Sequence, residues 1–266
     1  MNLWFEEITP AAGREKEKTR HLDRLEAILS EVELDGVAIP EIVPECDSTG
    51  AVILDREREE TLAYAVALHA LFGINAVPYR VVVVRSVDDN VEWLKKAHAS
   101  GVSSVVLVGA RNGVDYKCRV EDVNTHAREL GLNVGNIVIP SRAGEDARVK
   151  SKRDSGASFF VSQMLFEADR TAALLEKSPM ELYACFSPLS RPDHLEFVKR
   201  LGCDVPADAE RRFSGQGHMA GSSVTLAAGI YQKLAAHSVH VLVSDLGRKS
   251  NYDPAIMLLK HFRKFD

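Results

Sequence analysis

Short apolar runs alternate along the chain with longer stretches of helical periodicity. The runs RVVVV, SSVVLV and NIVI are continuously apolar, which is typical of parallel strands that are covered on both faces. The pattern predicts strands over 2–7, 36–43, 76–84, 103–108, 136–139, 159–163, 182–186 and 239–243. It predicts helices over 15–32, 61–72, 87–100, 120–130, 142–155, 167–177, 193–201, 222–236 and 254–262.

The pattern predicts eight strands, and nearly all of them are separated by helices. This alternation favours a (β/α)8 barrel. A doubly wound open sheet is the alternative. However, no GxGxxG follows the first strand, where a dinucleotide-binding sheet usually carries one. The length of 266 residues suits one barrel, and no linker rich in Pro, Gly or Ser interrupts it. We therefore expect a single barrel domain over 1–266.

Composition narrows the functional class. The chain is 45% hydrophobic and 27% charged, as globular proteins are, and its net charge of -5 argues against a nucleic-acid-binding surface. No apolar run approaches the ~20 residues that span a bilayer, and the first residues have no features of a secretory signal. We expect a soluble cytoplasmic protein without nucleic-acid or membrane partners, and homo-oligomerisation stays open.

Candidate chemistry lies where the predicted strands end, because barrels of this kind carry their active site at the carboxyl ends of the strands. Glu6 and Glu45 come early, Gln163 in the middle, and Arg191 and Arg248 late. A carboxylate at an apolar mouth has a raised pKa and can act as a general acid. One amide and two guanidinium groups suit a planar, anionic heterocycle. HxH, HExxH and DxD motifs are missing, so we expect no catalytic metal.

Each candidate also has a purely structural interpretation. Glu7 is expected to be a solvated or salt-bridged neighbour of Glu6, and Glu41 and Glu45 fit ordinary loop charges. An amide such as that of Gln163 often satisfies backbone groups in a strand. The basic run over 142–152 fits either a solvated helix face or a phosphate or carboxylate site at a helix N-terminus.

Five segments suggest a family when they are taken in order. They are FEEITP, SGVSSVVLVGARNG, VKSKRDSGASFFVSQMLFEAD, CFSPLSRPDHLEFVKRLGCDVP and HVLVSDLGR. The third is the most specific, since a helix with a lysine leads through a Gly-Ala step into a strand that ends in glutamine. Together they resemble the methylenetetrahydrofolate reductase family, whose members adopt a (β/α)8 barrel.

The resemblance implies reduction of 5,10-methylenetetrahydrofolate, or of a related methylene-pterin, to the 5-methyl form with NADH or NADPH. Glu6 matches the catalytic acid that opens the five-membered ring to an iminium. Glu45 matches an acid that the flavin-independent branch carries in the loop after the second strand. Gln163 matches a pterin-binding residue, and Arg248 an arginine near the glutamate tail of the substrate.

The sequence departs from the flavoprotein members where they hold FAD. Their fourth strand ends in Arg-Gly-Asp, whereas residues 108–110 here are Val-Gly-Ala. A histidine of the third strand is replaced by Tyr79, and a tyrosine before the fifth-strand proline by Ile139. The segment IPSRAGEDARVKSK resembles the flavin-independent branch more closely. From this resemblance and the departures above, we expect that FAD is not tightly bound.

Other positions carry the remaining expectations for ligand binding. Lys152 stands where the flavoproteins contact the phosphates of the cofactor, and we expect it to bind a cofactor together with Arg142 and Gly109. Tyr79 is expected to contact the substrate. Two further functions stay open: a barrel that binds a folate or pterin and supports methyl transfer, or a partner subunit of a larger complex, in both cases without a redox step of its own.

Overall fold

The computed structural model describes residues 1–43, 58–109, 116–213, 219–246 and 253–264, with the backbone alone at 45–46, 52–54 and 253. The barrel strands are Leu3–Glu6 (β1), Gly36–Ile39 (β2), Ala76–Val81 (β5), Ser104–Val108 (β6), Asn133–Val138 (β7), Phe159–Met164 (β8), Glu181–Phe186 (β9) and Val239–Ser244 (β10). These parallel strands close into an eight-stranded barrel in the order β1-β10-β9-β8-β7-β6-β5-β2. The predicted (β/α)8 barrel is confirmed, because β1 pairs with both β2 and β10 and an open sheet would leave an edge there.

Helices cover the outside of the barrel. They are Glu15–Glu31 (α1), Thr61–Phe72 (α2), Val87–Ala99 (α3), Val120–Glu129 (α4), Glu145–Ser155 (α5), Asp169–Lys177 (α6), Pro192–Arg200 (α7), Ala207–Phe213 (α8), Met219–Leu234 (α9) and Asp253–Arg263 (α10). The start of α3 shows how local chemistry sets a boundary, since Ser86 and Asp89 form a reciprocal capping box. None of the described helices is long and apolar enough to cross a membrane.

The structure differs from the predicted boundaries in several places. Glu45–Cys46 (β3) and Val52–Leu54 (β4) form a separate antiparallel pair that was not predicted, and neither was α8. Val82–Val84 form a 3-10 turn instead of the end of a strand. The strand predicted over 136–139 begins at Asn133, and the helix predicted from 142 begins at Glu145, after Gly144 at a φ of 69°. Apolar periodicity does not mark these short or polar pieces.

The barrel interior is filled by aromatic rings near its amino end. Trp4 stacks on Tyr183 with ring centroids 3.8 Å apart, and Phe159 meets both rings edge-on. Tyr79 and Cys185 lie in the same inner cluster but closer to the carboxyl ends of their strands. The rings of Trp4, Tyr183 and Phe159 therefore fill the barrel at the amino ends of its strands. The candidate site lies at the opposite end, where the strands end in polar residues.

Gly135 of β7 makes room for Phe159, and we expect Gly135→Ala to destabilise the barrel. A Cβ at this position would lie 2.4 Å from the Phe159 ring, which is 1% exposed and has no space to move away. Overpacking of this kind costs about 1–3 kcal/mol, which urea unfolding would measure. Gly229→Ala is the control, since this glycine lies within α9 with nothing near its Cβ position. The control should be neutral or stabilising, and an equal loss in both variants would contradict the packing argument.

Candidate active site

The mouth of the barrel holds a carboxyl group paired with a hydroxyl. Glu6 ends β1 and Ser244 ends β10, and the two residues are register partners. The Ser244 hydroxyl lies 2.6 Å from Oε1 of the partly buried Glu6 and donates to it. Burial raises the pKa of Glu6, the hydrogen bond from Ser244 offsets part of this rise, and the neighbouring Glu7 adds to it. Glu6 therefore has the property that the sequence predicted for a general acid.

Two further groups face Glu6 at the top of the inner cluster. Tyr79 is 4% exposed, and its phenol oxygen has no hydrogen-bond partner among the described residues. Burial raises the pKa of Tyr79 well above its usual value, and the charge of Glu6 adds to the rise. Burial and Glu6 raise the pKa of the Cys185 thiol in the same way. The phenol is thus a neutral, buried donor beside the acid, and it has no partner among the described residues.

Gln163 lies near the end of β8, where pairing with β9 shifts register between Val161 and Met164. The hydroxyl of the preceding Ser162 accepts a hydrogen bond at 2.9 Å from the backbone N–H of Cys185, and so completes the ladder in place of a main-chain group. The Gln163 amide lines a small cavity of about 20 Å³ and makes no hydrogen bond within the described part of the chain. No backbone group among the described residues therefore bonds to this amide, and its donors and acceptors are free for a ligand.

A second, larger cavity of about 280 Å³ lies between the first turn of α4 and helix α5. We call it the basic pocket, and it is lined by Val83, Gly109, Tyr116, Cys118, Arg119, Val120, Glu121, Arg142, Arg148 and Lys152. The three residues that the sequence predicted for cofactor binding, Gly109, Arg142 and Lys152, are thus brought together. Arg148 belongs to the predicted basic run. Arg119 was missed, because the residue before α4 carries no signal that separates it from an ordinary surface arginine.

Internal contacts fix the deep wall of the basic pocket. Arg142 makes a bidentate pair with the buried Glu145 at 2.7 and 3.0 Å, and Lys152 donates to the Ile137 carbonyl at 2.6 Å. Burial lowers the pKa of Lys152. The side chains of Arg119 and Arg148 are 65% and 49% exposed and line the pocket as well. A bound anion would offset the cost of burying the Lys152 charge.

The remaining predicted residues fall outside the mouth or outside the described residues. Glu45 lies in β3, but its side chain is not among the described groups, and Arg248 lies outside the described residues. Glu41 has a structural role, since it accepts a hydrogen bond from the backbone of Val81 at 2.6 Å and pairs with Arg85 at 2.7 Å. Arg191 pairs at 2.9 Å with Asp193, two residues further along the chain, and its side chain is 52% exposed.

Glu7 occupies an unexpected environment behind the barrel wall. It is fully buried and lies 2.5 Å from Nδ1 of His21 and 3.9 Å from Nε of Arg24. Arg24 also binds Asp245 at 2.9 Å. We call Glu7, His21, Arg24 and Asp245 the wall cluster. The prediction of an ion-paired neighbour is correct for Glu7, whereas a solvated one is wrong, because α1 covers this face of β1.

Among the described residues, no group of three or more His, Cys, Asp or Glu side chains could hold a metal ion. No protein-family model and no curated protein matches the sequence. One similar solved structure is an uncharacterized protein from Clostridium thermocellum that binds two copies of 5-methyl-5,6,7,8-tetrahydrofolic acid. The match has a TM-score of 0.78 and 18% sequence identity, and it covers 100% of this chain and 96% of the other. At this identity, the similarity is one of fold.

Proposed function

We propose that the barrel binds a reduced folate at its mouth and reduces a 5,10-methylene group to a 5-methyl group with NADH or NADPH. The observation that carries this proposal is the partly buried Glu6, whose raised pKa suits an acid, at the open end of the barrel. The free Tyr79 phenol and Gln163 amide supply hydrogen-bonding groups for a pterin at the same end. The folate bound by the Clostridium thermocellum barrel supports the choice of ligand.

The reaction divides into a proton transfer and a hydride transfer. Glu6 donates its proton to the ring nitrogen that leaves, the bond between this nitrogen and the methylene carbon breaks, and an iminium forms at the other nitrogen. The nicotinamide then delivers a hydride to the methylene carbon, which yields the 5-methyl group and the oxidised dinucleotide. Ser244 holds Glu6 at the mouth through its 2.6 Å hydrogen bond. The protein otherwise has to align two reactants, which lowers the barrier by orientation.

The basic pocket is our candidate for the phosphates of the dinucleotide. Arg119, Arg142, Arg148 and Lys152 supply four cationic groups, and Glu121 is the one acidic residue among the described residues that line the cavity. Glu145 behind the wall neutralises part of this charge through Arg142. A diphosphate fits the remaining positive charge, and arginine forks suit phosphate oxygens. Glu45 and Arg248 stay proposed as a second acid and as a partner of the folate tail.

We also propose that the hydride passes directly from nicotinamide to folate, without tightly bound FAD. The support comes from Tyr79 and Ile139, which replace two groups that line the flavin in the flavoprotein members. The purified protein should be colourless and should oxidise NAD(P)H without added flavin. A yellow preparation with about one flavin per chain, or activity that only FAD restores, would overturn this part of the proposal.

The decisive experiment is an NAD(P)H oxidation assay with methylenetetrahydrofolate, in which the 5-methyl product is identified by mass. Oxidation should require the folate and should follow ternary-complex kinetics. Calorimetric titration with 5-methyltetrahydrofolate is run in parallel. Binding without any NAD(P)H oxidation, with and without FAD, would favour the alternative of a folate-binding barrel without its own redox step. This alternative is supported by the similar Clostridium thermocellum structure, which binds 5-methyl-5,6,7,8-tetrahydrofolic acid.

Gln163→Ala should weaken the binding of 5-methyltetrahydrofolate. The free amide of Gln163 can pair with both donors and acceptors of a pterin, and its loss leaves ligand groups unpaired. We expect a loss of about 1–3 kcal/mol in calorimetric binding free energy. Gln232→Ala is the matched control, since Gln232 is exposed near the end of α9, on the face of the barrel away from the mouth. Unchanged folate affinity in Gln163→Ala would remove this residue from the site.

A further inference from the structure

At the ends of β1 and β10, the side chains of consecutive residues lie on opposite sides of the barrel wall. Glu6 and Ser244 are register partners and meet in the mouth. The residues that follow them, Glu7 and Asp245, both bind Arg24 of α1 on the outer side. Alternation of side chains along extended backbone explains this arrangement. The acid in the mouth and the wall cluster behind it therefore share two adjacent stretches of main chain.

The wall cluster holds these two stretches firmly. The backbone N–H of Glu7 donates to the Ala38 carbonyl at 2.9 Å, which continues the pairing of β1 with β2 beyond the strand. The Arg24 guanidinium contacts Asp245 at 2.9 Å and lies over the Phe5 ring at 5.2 Å from its centroid. Glu7 and Asp245 are 0% and 7% exposed. Water screens their charges little at this depth, so these charges act on groups across the wall.

Other titratable groups surround Glu7 on the side of the helices. Tyr64 of α2 is buried, its phenol oxygen has no hydrogen-bond partner within the described ranges, and burial together with the charge of Glu7 raises its pKa. Glu17 lies 3.9 Å from Nε2 of His21. Lys18 and Glu59 pair at 3.2 Å at the outer rim. Arg24 is shared between two buried carboxylates, Glu7 and Asp245. The charge of Glu7 also acts on the neighbouring Glu6 carboxyl.

We propose that Glu7 is a positioning residue, which fixes the end of β1 and keeps the neighbouring Glu6 carboxyl protonated. A negative charge at Glu7 makes a second negative charge at Glu6 costly, which favours the protonated form of Glu6 that can donate to a substrate nitrogen. Ser244, Tyr79 and Cys185 face Glu6 from the mouth side, and none of them is a cation that would draw the proton away. The proposal rests on the proposed function in that Glu6 is the acid of the reaction.

The test is a pH titration of the protonated Glu6 carboxyl by infrared spectroscopy, which needs no substrate. The C=O band of the carboxylic acid is assigned by its loss in Glu6→Gln. Glu7→Gln keeps the size and the hydrogen-bonding groups of the side chain but removes its charge. In Glu7→Gln, the pH at which half of the Glu6 C=O band is lost should fall by about one unit. Glu7→Asp keeps the charge and should keep the parental midpoint.

Two further arms make the test decisive. Glu26→Gln removes a carboxylate from the exposed face of α1 and should leave the midpoint unchanged. Glu7→Asn removes the same charge with a shorter side chain and should also lower the midpoint, so it replaces Glu7→Gln if that variant does not fold. An unchanged midpoint in a folded Glu7→Gln or Glu7→Asn protein would overturn the proposal. A shifted infrared midpoint without folate reduction would support the role of Glu7 and overturn the proposed function.

Discussion

Glu6→Gln should lower the rate of methylenetetrahydrofolate reduction by about 10²–10⁴-fold, which is the usual cost of a lost general acid. Glutamine keeps the size of the side chain and can still bond to Ser244, but it has no proton to donate. Ring opening would then depend on water. Because the proposed contacts of Tyr79 and Gln163 with the folate are unaffected, the dissociation constant for 5-methyltetrahydrofolate should change little. Single-turnover rates and calorimetric titration measure the two quantities separately.

Glu26→Gln serves as the control for Glu6→Gln, since it removes an exposed carboxylate of α1. Its turnover should equal that of the parent. Turnover of Glu6→Gln within about threefold of the parent would show that Glu6 is not the acid. Glu45, the second acid predicted from the sequence, would then be the next residue to replace.

Arg24→Met should destabilise the protein by about 3–5 kcal/mol, because it leaves two buried carboxylates without their shared cation. Glu7 is 0% exposed and Asp245 is 7% exposed, so neither can regain its hydration without local unfolding. Methionine retains much of the apolar stem that packs near Phe5. The loss is therefore expected from charge and not from volume. Urea unfolding near neutral pH gives the free energy of unfolding of each variant.

Two comparisons separate the buried charges from other effects of Arg24→Met. Arg20→Met removes an exposed arginine from the same helix and should change stability by at most about 0.5 kcal/mol. The double variant Arg24→Met/Asp245→Asn should recover part of the loss, since one of the two carboxylates that shared Arg24 is then neutral. A loss below about 1 kcal/mol in Arg24→Met would mean that the wall cluster contributes little to stability.

Much of the fold follows from the local sequence. Continuous apolar runs such as SSVVLV mark strands that are buried on both faces, and helix α2 was predicted with the bounds that the structure has, Thr61–Phe72. Alternation of strands and helices was enough to choose a barrel over an open sheet. The pair β3 and β4 and helix α8 were not predicted, because they are short and their stability comes from tertiary packing rather than from periodicity.

The sequence by itself determined the barrel and the strand ends at which Glu6 and Gln163 lie, because these features depend on side-chain periodicity and chain order. The sequence also grouped Arg142, Lys152 and Gly109 as expected cofactor-binding residues, and the structure places all three around one cavity. Only the tertiary structure decided which charged groups are buried. Ser244 bonds to Glu6 across 238 positions, and Arg24 reaches Asp245 across 221. Such contacts arise from closure of the barrel between its first and last strands, and local sequence carries no record of the partner that closure supplies.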